Sequence, residues 1–367
     1  MIIDFLKKIK ILNKYYKYIF FSENINYLNS YKDFLLLLAK KNNDSKILHL
    51  VSDNEETYKS LIMEKNIITV GIGGGTLRTL TFLLIRGKYF FMTLTNLGNY
   101  YLKKSTSCKN YIYFFHSLAS INKVYEHNAF KNYDIVCCNG DYHYQEILEQ
   151  EKRYAFPKKK LIKSGFIYLD YLKKNINLNK MIKKTILFAP SWNEAKENLL
   201  EKYGYEIIKH LISRGYKVIF RPHPEHFKRS KLAIRKILNH FEKKENFYLS
   251  KNLSDLASLE KSNLLITDYS GIALEFLSIL HRPVLLIEVG NKRFNKDFDS
   301  SHVLFEDKFK EKFAIKVSCK PLDLDNLSDI IDKEINGNKM KNQIEEFLKL
   351  NLYNYGSVSE KLINNFQ

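Results

Sequence analysis

The chain has 367 residues, 45% apolar and 14% aromatic, which is material for two packed cores and excludes general disorder. Lys and Arg number 59 against 40 Asp and Glu, a formal charge of +19 that favours anionic partners without choosing among them. No recognition-helix, zinc-finger or RNP-like pattern is present, so nucleic acid is not an expected partner, and no run reaches the roughly 18 to 20 apolar residues of a membrane span.

At about 100° per residue, Ile2, Phe5, Ile9, Leu12 and Tyr16 share one helical face, with Lys7, Lys10, Lys14 and Lys17 opposite. This predicts an N-terminal amphipathic helix, suited to an anionic membrane surface or to packing on its own domain. No small-residue cleavage site follows, so the expected location is cytoplasmic, with peripheral contact at the inner face of the membrane. Strand-like runs then read at Ile47–Val51, Ile67–Ile72, Tyr89–Leu94, Tyr111–Phe115, Ile135–Cys138 and Leu161–Ser164. Helices read between them at Glu55–Glu64, Thr76–Ile85 and Tyr142–Glu151. A polar linker near Lys173 to Lys180 precedes strands at Thr185–Ala189, Tyr216–Phe220, Phe247–Leu249, Leu264–Thr267 and Val284–Ile287. The helices here are Leu199–Arg214, Phe227–Phe241 and Gly271–Leu280, and a helical tail follows. Alternating strands and helices predict parallel sheets covered on both faces. The expected architecture is α/β, two Rossmann-like domains facing an interdomain cleft, at 1–175 and 176–340 with a tail at 341–367. Cys108, Cys137, Cys138 and Cys319 have neither paired nor metal spacing and read as free thiols.

The chemistry concentrates where strands end. Arg221-Pro-His223-Pro follows one apolar run; the guanidinium is a fork of donors matched to phosphate, and the prolines hold His223 rigidly at the strand exit. Thr267-Asp-Tyr-Ser270-Gly271 follows another. Ser270 reads as an N-cap, Gly271 admits a ligand close to the backbone, and Glu275 one turn on has the reach for ribose hydroxyls. His116 is the first polar residue after Tyr111–Phe115, placed for general-base work, with Ser117 beside it for substrate or capping. Gly73 and Gly74 lie in a glycine-rich turn that matches no phosphate-loop fingerprint and reads as cleft lining. Trp192, the single tryptophan, either lines the nucleotide pocket or packs.

Four of these motifs in order, Ala189–Trp192, Arg221–Pro224, Thr267–Gly271 and Arg282–Pro283, resemble the CDP-glycerol glycerophosphotransferase family of teichoic-acid and capsule polymerases. The first half is similar to a subgroup with a glycine-rich turn, a Phe-His-Ser strand end and an Ala-Phe-x-x-Tyr-Asp segment, here Ala129–Asp134. The resemblance implies a GT-B fold, a CDP-linked donor such as CDP-glycerol held by the C-terminal domain, and an acceptor hydroxyl, lipid-linked or glycan, presented by the N-terminal one. No cofactor beyond that donor is expected, and no metal: Asp297-Phe-Asp299 and Asp323-Leu-Asp325 have Asp-x-Asp spacing, but neither follows a clear strand. His116 matches the family's base, Arg221 and His223 its donor-phosphate residues, and Ser270 and Gly271 its helix-start phosphate site. The Phe-His-Ser form departs from the family's His-Gly form and leaves the acceptor open. The alternative from the same fold is a nucleotide-sugar glycosyltransferase; a non-enzymatic polyanion binder is a third class.

Overall fold

The structure, a computed structural model, describes residues 10–99, 101–192, 198–251, 255–289, 295, 304–318, 322–337 and 340–367. The chain forms two compact units: Met1–Tyr171 with Phe294–Asp299 and Lys349–Gln367, and Leu172–Arg293 with Ser300–Leu348.

The first unit is built on β1 (Tyr15–Ser22), β2 (Ile47–Val51), β3 (Ile67–Gly71), β4 (Arg86–Met92), β5 (Cys108–Phe114), β6 (Ile135–Cys138) and β7 (Lys160–Lys163). The strands are all parallel, in the order β3-β2-β1-β4-β5-β6-β7. A sheet covered on both faces needs strands apolar on both sides. In β1, Ile19 and Phe21 join one core while Tyr18 and Phe20 join the other. This corrects the end of the expected N-terminal helix: residues 10–12 are helical, but Tyr15 to Ser22 is a central strand, aligned with Ile19 opposite Leu48 and Phe90. The aromatic and β-branched run Tyr-Tyr-Lys-Tyr-Ile-Phe-Phe favours a strand over the helical spacing that its lysines suggested. Residues 1–9 of that expectation lie outside the described residues. The C-terminal segment Lys349–Gln367 belongs to this unit. Phe366 is fully buried among Phe34, Tyr89 and Phe91, and its carbonyl accepts from the Tyr18 hydroxyl at 2.8 Å. The segment comes so close that a Cβ on Gly165 (φ +91°) would lie 2.0 Å from the Tyr353 carbonyl oxygen. Cys108, Cys137 and Cys138 are buried free thiols; Cys319 lies outside the described residues.

The second unit carries β8 (Thr185–Phe188), β9 (Lys217–Phe220), β10 (Phe247–Leu249), β11 (Leu264–Thr267), β12 (Val284–Ile287) and β13 (Ile315–Val317). They too are parallel, in the order β10-β9-β8-β11-β12-β13. The order reverses between β8 and β11, and in the first unit between β1 and β4. Open α/β sheets bind ligands outside the carboxyl ends of strands at such reversals.

Four helices leave the strand ends that matter: α1 (Gly75–Leu84) after β3, α2 (Asp141–Arg153) after β6, α3 (Pro224–Arg229) after β9 and α4 (Gly271–Leu280) after β11. The helix expected over Phe227–Phe241 is broken at Ser230 (φ −110°, ψ 36°) into α3 and Lys231–Phe241. Among the described residues no helix is long and apolar enough to cross a membrane.

Candidate active site

In the second unit β8 runs into Ala189–Trp192, β9 into Arg221–Pro224 and β11 into Thr267–Gly271. Because β8 lies between β9 and β11, the three loops are neighbours at the reversal of strand order. Hydrogen bonds lace them together. The Ser191 N–H donates to the buried Asp268 carboxylate at 2.7 Å, and the Thr267 hydroxyl donates to the Ala189 carbonyl at 2.6 Å. Fully buried His226 joins the third loop: its Nε2 meets the Ser191 carbonyl at 3.1 Å and its Nδ1 meets the Ser230 hydroxyl at 3.0 Å. A carbonyl only accepts, so His226 is the Nε2–H tautomer with Ser230 donating to Nδ1. Sequence reading passed over Ser191 and His226, and it gave Asp268 no separate role. Their partners lie 35 and 77 residues away.

His223 sits at the N-cap of α3, where its Nδ1 accepts the Glu225 N–H at 3.2 Å. That bond places the ring proton on Nε2, leaving a neutral imidazole with a donor at its far end. Arg221 is buried, and its Nη1 donates to the Ser258 hydroxyl at 3.0 Å and the Asp255 carbonyl at 3.4 Å. Glu275 lies within its field: burial pushes the carboxyl up to about 6, and the Arg221 charge pulls the other way. Trp192 is partly buried, with the Arg229 guanidinium 5.2 Å over its ring.

The start of α4 is open. Ser270 occupies the N-cap in extended conformation (φ −112°, ψ 147°), but its hydroxyl makes no capping bond. Gly271 is exposed, and a Cβ built there would meet nothing within 4 Å. No acidic side chain lies in the first turn. Ten residues of aligned peptide dipoles thus start beside the laced loops with no side-chain cap; the Ala273 N–H donates to the Ser270 carbonyl at 3.3 Å, and the Gly271 and Ile272 N–H groups at this end suit a phosphate.

In the first unit His116 follows β5. The Tyr27 ring stands edge-on to it at 5.0 Å, and the Tyr125 ring at 6.4 Å. Its Nδ1 is shielded from solvent and has no hydrogen-bond partner among the described residues. Burial pushes the ring down to about 4, against a hydrogen bond with the Thr93 backbone, so it is neutral at pH 7. The Ser117 hydroxyl accepts the Ala119 N–H at 3.0 Å, closing a local turn.

The loop after His116 is strapped to the start of α2. Asn139 donates to the Ser117 carbonyl at 3.0 Å, Tyr142 to the Leu118 carbonyl at 3.0 Å and His143 Nε2 to the Ala119 carbonyl at 2.9 Å. The Glu146 carboxylate accepts the Ile121 N–H at 2.7 Å and the Ser120 hydroxyl. Tyr142, His143 and Glu146 share one face of α2, and Asn139 lies just ahead of its extended N-cap Gly140, so together they hold five consecutive loop residues. The sequence showed that helix but not what its face holds. Gly73 (φ +63°) and Gly74 form an open turn after β3. Four strand steps separate β3 from β5, about 19 Å at ~4.8 Å per step, so the sheet does not bring this turn to His116.

The chain matches the family model described as CDP-Glycerol:Poly(glycerophosphate) glycerophosphotransferase over residues 9–364. No curated protein sequence matches it. Among solved structures, the wall teichoic acid polymerase TagF soaked with CDPG aligns at 14% identity and TM-score 0.60, over 95% of this chain and 87% of that one. A putative UDP-N-acetylglucosamine 2-epimerase from Listeria monocytogenes aligns at 13% identity and TM-score 0.61, over 95% of each chain. The UDP-GlcNAc 2-epimerase from Methanocaldococcus jannaschii aligns at 15% and 0.56, over 96% of this chain and 99% of that one. At these identities the likeness is one of fold, the GT-B type with its two parallel sheets.

Proposed function

The chain belongs to the CDP-glycerol:poly(glycerophosphate) glycerophosphotransferase family, and from that membership we propose that it transfers glycerol phosphate from CDP-glycerol to an acceptor hydroxyl in the synthesis of a teichoic-acid-type surface polymer. The single observation that carries the donor half is the open start of α4, uncapped by any side chain, beside three laced strand ends. The acceptor is a lipid-linked or glycan hydroxyl, and the enzyme rests peripherally on an anionic membrane.

In the proposed step the acceptor oxygen attacks the glycerol-bearing phosphorus of CDP-glycerol. A new P–O bond forms, the pyrophosphate P–O bond breaks, and CMP departs with the electron pair. The first-turn N–H groups of α4 and the Nε2–H of His223 face the negative charge that accumulates on the departing phosphate, and Arg221 contributes its field. A well-placed donor of this kind is worth roughly 3 kcal/mol in the transition state. Glu275 takes the ribose hydroxyls. His116 takes the acceptor proton: it is unprotonated at pH 7, which a base requires, and its unpartnered Nδ1 is the ring atom that accepts.

The test is CMP release from CDP-glycerol, followed by chromatography with purified full-length chain and acceptor. His116→Ala is expected to cut turnover at least a hundredfold while CMP binding survives; His223→Ala is expected to weaken CMP binding as well. Equal loss of binding in both variants would refute the division of roles. Turnover of a UDP- or GDP-sugar in place of CDP-glycerol would refute the donor assignment.

A further inference from the structure

We propose that the outward face of α1 is a docking surface for an anionic lipid bilayer. The assignment deepens the peripheral-membrane reading above and rests on it, but not on the choice of donor.

Viewed down its axis, α1 divides into two halves. Arg78, Thr81, Phe82 and Ile85 turn inward; Phe82 is fully buried, and Arg78 reaches Glu23 at 3.3 Å. The outward half carries Leu77, Leu80, Leu83 and Leu84, exposed by 46%, 55%, 45% and 60%, with Thr76 and Thr79 between them. It holds no charge. Single exposed leucines need no explanation, but four on one short helix form a contiguous apolar patch, and such patches mark interaction sites. Tyr101, 63% exposed, extends the patch, because its carbonyl accepts the Thr79 hydroxyl at 3.2 Å.

The surroundings select the occupant. Between Glu64 and Glu126 every charged residue is Lys or Arg. Exposed Arg86 follows α1 directly, and in the sheet it stands opposite Tyr15, which is 63% exposed and preceded by exposed Lys14. Leucines on a helix face, with exposed Tyr15 and Tyr101 and exposed Lys14 and Arg86 at the margin, are the features of a segment lying in the headgroup region of an anionic membrane. A second protein copy bearing the same cations would be repelled.

The experiment is co-sedimentation of the full-length chain with vesicles of equal parts phosphatidylglycerol and phosphatidylcholine, against phosphatidylcholine alone. Partition is expected on the anionic vesicles only, falling at least tenfold in Leu80→Ser/Leu84→Ser and several-fold in Arg86→Gln. Leu232→Ser, which removes an 80% exposed leucine from the other unit, is expected to leave it unchanged. CMP release with a water-soluble acceptor is expected to be the same in all four proteins, which also certifies their folding. Full vesicle binding by the double leucine variant would overturn the assignment of α1 while the membrane reading stands. No binding by the unaltered chain would overturn both. A dimer in sedimentation velocity that the leucine substitutions abolish would assign the face to a second copy.

Discussion

Replacing Gly271 by Ala should stabilise the protein and weaken its grip on nucleotide at the same time. Gly271 opens α4 with a φ outside the left-handed range and open space where a Cβ would lie. Neither strain nor packing therefore requires glycine. Alanine there restricts the unfolded chain and gains about 0.4–1 kcal/mol, which for a unit of this size raises the melting midpoint by roughly 1–4 °C. A phosphate seated on the first-turn N–H groups would meet the added methyl and lose at least one charge-assisted hydrogen bond. At about 1.5–3 kcal/mol for such a bond, the CMP dissociation constant should rise roughly tenfold to a hundredfold. Thermal unfolding without ligand measures the first effect and titration calorimetry with CMP the second. A lower melting point would show that the glycine is structural. A higher melting point with unchanged CMP affinity would place the phosphate elsewhere.

Two further predictions concern the first unit. His49 and His143 are fully buried, and burial pushes each down to about 3, below the ordinary value near 6.5. The unfolded chain therefore takes up protons first as pH falls, so their stability contribution is complete above about 6.5 and is lost as pH drops toward 3. At about 1 kcal/mol each across that interval, urea unfolding followed by circular dichroism should weaken by roughly 2 kcal/mol between pH 6 and 5; a flat profile there would contradict the burial of both rings. Phe366→Ala removes a ring lying 4.9–5.9 Å from those of Phe91, Tyr89 and Phe34. It should cost about 3–5 kcal/mol in the same assay, and a loss under 1 kcal/mol would mean that the segment is dispensable.

What the sequence disclosed depended on how local each signal was. Val218–Phe220 and Leu264–Thr267 announce themselves as apolar runs cut short by Arg-Pro and by Asp, so the strand ends and their motifs were readable. The fold class follows from that alternation, and the family from the order of four motifs. β1 misled because Lys10, Lys14 and Lys17 continue the helical spacing of residues 10–12, whereas the aromatic and β-branched run from Tyr15 pairs between β2 and β4 as a strand. The helix Lys32–Lys41 and strand β13 also went unread; the latter is three residues long and gains its identity from pairing with β12. Ser191, His226 and the α2 strap of Asn139, Tyr142, His143 and Glu146 were invisible for a related reason. Each acts through a partner loop far along the chain, and no residue type betrays such a bond. Ser270 is the converse case, since its position was foreseen and its capping bond is not made.

The return of Val358, Leu362, Ile363 and Phe366 to the core of the first unit sets an order of events during synthesis. The strands of the first unit wait for residues 358–366 before their hydrophobic interior closes, whereas the second unit has its whole sheet available earlier. A ribosome stalled before Val358 would leave a chain with the second unit's sheet complete and the first unit's core unfinished, a species that exposes Phe34 and Phe91 to chaperones and proteases.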